Sequence, residues 1–98
     1  VLVAGTEPPE VTELWDWLLG PGDSYRSDAH RAGTRELLLV LSGSVELTVA
    51  GVVHRLRAGD SAAFEANAPH SYANPSTTTL ARFTLAVHEP NVGTHDRR

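Results

Sequence analysis

Glycine and proline interrupt this 98-residue chain at short intervals, and the runs between them are apolar, about four to eight residues long and without helical period. That pattern predicts an all-β domain. Val1 to Ala4 reads as a short strand, Thr6 to Glu10 as a loop, and Val11 to Leu19 as a strand closed by Gly20-Pro21-Gly22. Alternation along that strand puts Trp15 and Trp17 on one face and Leu14, Asp16 and Leu18 on the other. Ser24 to His30 is polar and extended, and Ala32-Gly33-Thr34 turns it into the strand Glu36 to Leu41. Val45 to Val49 and Val52 to Leu56 flank Ala50-Gly51 as a hairpin, although Asn or Asp would suit the first turn position better. Ala58-Gly59-Asp60 and Asn67 to Pro69 are turns around the strand Ser61 to Phe64. His70 to Ala73 and Leu80 to His88 complete the set, with Asn74 to Thr78 a polar loop and a fraying tail after Pro90. Eight or nine short strands close most economically into a small antiparallel β-barrel or jelly roll, which hides the edges of an open sheet.

One domain, residues 1–98 with a core at about 11–90, accounts for a chain of this length. The formal charge of −4 and the lack of a basic run beyond Arg97-Arg98 leave no electrostatic footprint for nucleic acid. Zero cysteines exclude a disulfide framework, thiol catalysis and a zinc finger. No apolar run has transmembrane length and the start lacks a signal peptide's pattern, so a cytoplasmic location is expected. Methionine is absent, which suggests a piece of a longer polypeptide. No spacing of Ser, His and Asp suggests a nucleophilic triad, and no catalytic residue is assigned.

Two glycine-anchored segments carry the chemistry. The first runs from His30 through Gly33, Thr34, Arg35 and Glu36 to Gly43; the second from Gly59 and Asp60 through Phe64 to Pro69, His70 and Asn74. Together they resemble the paired motifs of the cupin superfamily, whose double-stranded β-helix (jelly roll) encloses a ligand or metal. Glu36 and Gly43 keep the first motif's spacing, but either register supplies at most one histidine in front of Glu36. In the second motif Gly59, His70 and Asn74 match. Glu65 and Asn67 stand where Pro and Gly are usual, and Asn67 tolerates the positive φ that glycine would supply.

The segment Tyr25 to Glu36, with its His-x-x-Gly-Thr-x-Glu form, and the segment Ala68 to Pro75 resemble more narrowly the C-terminal cupin domain of XRE-type helix-turn-helix transcriptional regulators. That resemblance implies a small-molecule sensor, cytoplasmic and homodimeric, reaching DNA only through an attached helix-turn-helix domain that is absent here. The expected ligand is a small polar or anionic organic molecule, in a pocket of His30, Glu36, Phe64, His70, Tyr72 and Phe83. No cofactor is expected. A divalent Fe, Mn, Ni or Zn remains possible, with His30, Glu36 and His70 as the available ligands. Against that, His30 can simply face solvent from a loop, and Glu36 can pair with Arg31, Arg35 or Arg82. Trp15 and Trp17 either line the barrel or cover a partner, near a dimer interface that also takes in Val1 to Ala4. A metal-dependent enzyme (dioxygenase or isomerase) and an inert dimerisation module are the alternatives to the sensor.

Overall fold

The structure, a computed structural model, describes residues 1–93; His95 and Arg97-Arg98 lie outside the described residues. Among the described residues there are nine strands: β1 (Leu2–Gly5), β2 (Val11–Leu19), β3 (Ser24–Ser27), β4 (Arg35–Ser42), β5 (Ser44–Val49), β6 (Val52–Arg57), β7 (Ser61–Glu65), β8 (His70–Ala73) and β9 (Ala81–Glu89). They form two antiparallel sheets, a five-stranded one in the order β1-β2-β9-β4-β7 and a four-stranded one in the order β3-β8-β5-β6. The all-β jelly roll is therefore the architecture. Among the described residues there is no helix, and so none long and apolar enough to cross a membrane.

Alternation decides what each strand contributes. β4 buries Glu36, Leu38 and Val40 and exposes Arg35, Leu37 and Leu39. β9 buries Phe83, Leu85 and Val87 on the same inner face. From the facing sheet Val45, Leu47 and Tyr72 complete the core. Each such aliphatic side chain contributes roughly 1.5–3 kcal/mol on burial.

Three details depart from the pattern read in the sequence. The extended segment ends at Ser27, so residues 28–34 are loop. Residues 90–93 form a turn rather than a frayed tail, with the Val92 amide donating to Pro9 O at 2.7 Å. Asn67 is not left-handed; the non-glycine residues at positive φ are Ala50 and Asn91, at 49° and 59°. Ala50 and Gly51 (φ 82°) together make the primed turn that a two-residue hairpin requires. Gly43 explains the glycine of the first motif: its φ is 72°, and a Cβ there would lie 2.4 Å from the Leu80 carbonyl oxygen.

Candidate functional site

Glu36 sits near the start of β4, between β9 and the edge strand β7 of the five-stranded sheet, level with Val87 of β9 and Phe64 of β7. Its inward position leaves 1% of it exposed, and a buried carboxylate must find donors. It finds them across the sandwich. Tyr72 donates its phenol O–H to Glu36 Oε1, and His70 Nε2 lies 3.1 Å from Oε2. Both come from β8, where His70 and Tyr72 face inward opposite Ser27 and Tyr25 of β3. Burial, reinforced by the Glu36 charge, pushes the Tyr72 phenol far above its ordinary range, so it remains a donor. Arg31 and Arg35 take no part, and Arg82 forms a two-bond fork with Asp16 on the outer face. The arginine pairing considered for Glu36 is thus replaced by histidines and a tyrosine.

His30 completes the set. It lies in the loop after β3, as considered, yet it does not simply face solvent. Its amide donates to Ala66 O at 2.8 Å, which ties the loop to the end of β7. Its half-buried ring turns inward, with Nε2 3.4 Å from Glu36 Oε2. Strand alternation does not bind a loop residue, which is why register arguments placed His30 poorly.

Proton accounting at His70 is informative. Its Nδ1 lies 2.9 Å from the Ala68 carbonyl oxygen, an acceptor, so that nitrogen carries a hydrogen. Its Nε2 faces a carboxylate oxygen. A neutral ring has only one N–H, so two lone pairs would then confront each other. Either a second proton or a cation between Nε2 and Glu36 resolves the conflict. The donor atoms of His30, Glu36 and His70 lie within 4.8 Å of one another, and a hydrogen-bonded Nδ1 is the usual support of a ligating imidazole. These residues therefore fit a divalent ion: two imidazole nitrogens and one carboxylate.

Beside this cluster opens a cavity of about 140 Å³. It is lined by Glu36, Tyr72 and His30 and by Trp15, Trp17, Tyr25, Leu85 and Val87. Glu13 and Glu89 also line it. Of the six pocket residues named from sequence, Glu36, His30 and Tyr72 line this space. His70 stands just behind Glu36, and Phe64 packs edge-on against His70 with centroids 5.4 Å apart. Phe83 is wholly buried beneath Tyr72 and Trp17 as core. Trp15 and Trp17 line this cavity. Glu13 and Glu89 were missed, because only the β2–β9 register brings residues so distant in sequence to one rim.

Asn74, the last residue of the second motif, is not a pocket group. It is 2% exposed, and its Nδ2 lies within 3.2 Å of the Leu19, Gly20 and Thr79 carbonyl oxygens. Its Oδ1 accepts from the Ser76 amide at 3.0 Å. It clamps the end of β2 to the loop before β9.

Comparison with known proteins agrees with this geometry. The Cupin_2 family (Cupin domain) matches residues 15–88. The chain is 40% identical over 86 residues to a quercetin 2,3-dioxygenase of Bacillus subtilis (strain 168), covering 87% of this chain but 25% of that protein; it thus spans about a quarter of that relative. The Cupin_2 domain of an XRE family transcriptional regulator from Enterobacter cloacae superposes with a TM-score of 0.76 at 29% identity, over 81% of this chain and 82% of the other. An HTH_3 family transcriptional regulator from Vibrio cholerae gives 0.74 at 28% identity, over 81% of this chain and 43% of its own.

Proposed function

The chain belongs to the Cupin_2 family, and on that premise we propose that it is the effector-binding domain of a cytoplasmic helix-turn-helix transcriptional regulator. The observation that carries this reading is the likeness, over most of the chain, to the cupin domain of an XRE family regulator. The cavity supports it: an aromatic and aliphatic wall meets a few buried polar groups, the mix expected of a specific small-ligand site. Glu36, His70 and Tyr72 hold one another by hydrogen bonds, so a ligand reaching Glu36 or His30 would disturb a connected network that links the two sheets.

Regulation asks little of such a domain. The effector has only to favour one arrangement of a dimer over another, and a tenfold preference, about 1.4 kcal/mol, is enough when the two are nearly balanced. Leu14 of β2, Leu37 and Leu39 of β4 are exposed on the outer face of the five-stranded sheet, with Ala63 and Ala86 in register beside Leu37. A twin covering that face in a two-fold dimer is part of the proposal.

The test is the intact gene product. A helix-turn-helix segment ahead of Val1, and an operator affinity that changes when a cavity ligand is added, are the expected results. Lack of such a segment, or an operator affinity indifferent to every ligand that occupies the cavity, would end the sensor reading.

A second reading rests on the His30–Glu36–His70 set and the dioxygenase relative. A divalent ion held there would supply Lewis-acid or redox chemistry, while Tyr72 holds Glu36 in place and Trp15, Trp17 and Leu85 keep the space beside it apolar. The cavity's 140 Å³ is below the roughly 300–1,000 Å³ of sites for drug-sized ligands, which weighs against a multi-ring substrate. Stoichiometric metal by elemental analysis, with turnover of such a substrate, would put the enzyme first.

A further inference from the structure

The charge and the aromatic wall of the cavity identify the class of its ligand, an inference that rests on the sensor reading and extends it. Three carboxylates line the space, those of Glu13, Glu36 and Glu89, and no arginine among the described residues does. Glu36 is already answered by Tyr72 and the two histidines. The other two carboxylates are not. Glu13 Oε1 accepts a single bond, from the Trp15 indole at 3.2 Å, and the half-buried Glu89 carboxylate has no hydrogen-bonding or ionic partner among the described residues.

The wall facing these acids is aromatic. Trp15 and Trp17 have ring centroids 6.3 Å apart, and Trp17 and Tyr25 4.8 Å. Ring faces are the negative end of the aromatic quadrupole and attract cations, tryptophan most strongly. An anion entering here would meet three carboxylates at close quarters. A neutral molecule would displace the water that solvates Glu13 and Glu89 and put nothing in its place. A cation satisfies both acids and the ring faces together. The cavity's volume of about 140 Å³ favours a small molecule.

We propose that this cavity takes a small organic cation, a protonated amine or a quaternary ammonium, with its charged head against Trp15, Trp17 and Tyr25 and with Glu13 and Glu89 as its counter-ions. Of the polar or anionic ligands expected from the sequence, the anionic ones do not suit such a lining.

Trp15 and Trp17 are the two tryptophans of the chain, so intrinsic fluorescence reads the cavity directly. At constant ionic strength the protein is titrated with choline chloride, with ethylammonium chloride, with 3,3-dimethylbutanol as the neutral shape-match of choline, and with sodium acetate. The expected result is a saturable change with at least one of the two cations, binding about tenfold weaker for the alcohol, and no saturable change with acetate. Glu13→Gln and Glu89→Gln, isosteric changes checked for an unaltered melt, are each expected to weaken that cation about threefold or more. The proposal is overturned by equal binding of the alcohol, by saturable acetate binding, by parental cation affinity in both glutamine variants, or by silence with both cations. Binding of the alcohol or of acetate would leave the sensor reading intact, since that reading fails on the operator assay instead.

Discussion

Replacing Asn74 by alanine removes one small side chain that serves four backbone groups, of which the Gly20 carbonyl keeps the Asp23 amide as a donor. The carbonyls of Leu19, Gly20 and Thr79 share the two protons of Nδ2, at 3.2, 3.1 and 2.7 Å, and the Ser76 amide loses its acceptor. Two shared protons and one accepted bond amount to roughly three hydrogen bonds, each worth about 1 kcal/mol net. Water can reach part of the loop and recover some of this, so the expected loss is about 2–4 kcal/mol. In a domain of this size 1 kcal/mol moves the melting temperature by about 4–8 °C, so the shift is large enough to read by tryptophan fluorescence during heating or urea unfolding. The discriminating variant is Asn74→Asp. It preserves size and the acceptor for Ser76 but turns a charged, donor-less carboxylate toward three carbonyl oxygens. At neutral pH it is expected to be at least as unstable as the alanine variant. Acidification through the carboxyl's range should return part of the loss, because the protonated acid regains one donor. An aspartate variant within about 0.5 kcal/mol of the parent, a size typical of an inert surface change, would refute the clamp.

Tyr72, whose phenol is held protonated by burial and by the Glu36 charge, should not ionise in the folded state. An unfolded tyrosine ionises near pH 10, so stability is full below that pH and declines as pH rises past about 10. An alkaline absorbance titration should show no more than one tyrosinate before unfolding, and two in a chain with native circular dichroism would contradict this. Gly43→Ala places a Cβ 2.4 Å from the Leu80 oxygen and 2.9 Å from the Ala81 Cα, and a loss on the order of 3 kcal/mol or more is expected in urea titrations. Gly59→Ala meets nothing within 4 Å and pays only for its positive φ, about 1–2 kcal/mol; equal losses for the two glycines would show that the contact counts for nothing. Ala50→Asn puts a residue tolerant of positive φ where alanine is strained, and a gain of about 0.5–1 kcal/mol is expected, measured as a raised urea midpoint.

The strands were legible because turn residues mark their ends and because a β pattern needs only local information. The hairpin around Ala50-Gly51 and the inward alternation of Glu36, Leu38 and Val40 follow from that alone. The meeting of Glu36 with His70 was legible through motif spacing. What escaped was set by contacts between distant segments. The direction of His30 depends on a loop tied to Ala66, which no alternation rule describes. The role of Asn74 depends on carbonyls at the end of β2 that lie more than fifty residues earlier. Glu13 and Glu89 look like ordinary surface acids until the β2–β9 register puts both beside the tryptophans.

The placement of β9 carries a kinetic consequence. The last strand among the described residues is the middle strand of the larger sheet, hydrogen-bonded to β2 on one side and β4 on the other. During synthesis, therefore, β1–β2 and β4–β7 can form only as two separate ribbons, each with an unpaired edge, until residue 89 leaves the ribosome. The β4 edge left waiting bears the leucine-rich run from Leu37 to Leu41, a ready template for pairing with a neighbouring nascent chain. Closure joins segments far apart in sequence, the kind of event that slows folding to milliseconds or longer. A polypeptide carrying this domain thus has a vulnerable interval that ends in one step, when the ninth strand slides between the ribbons and removes both open edges at once.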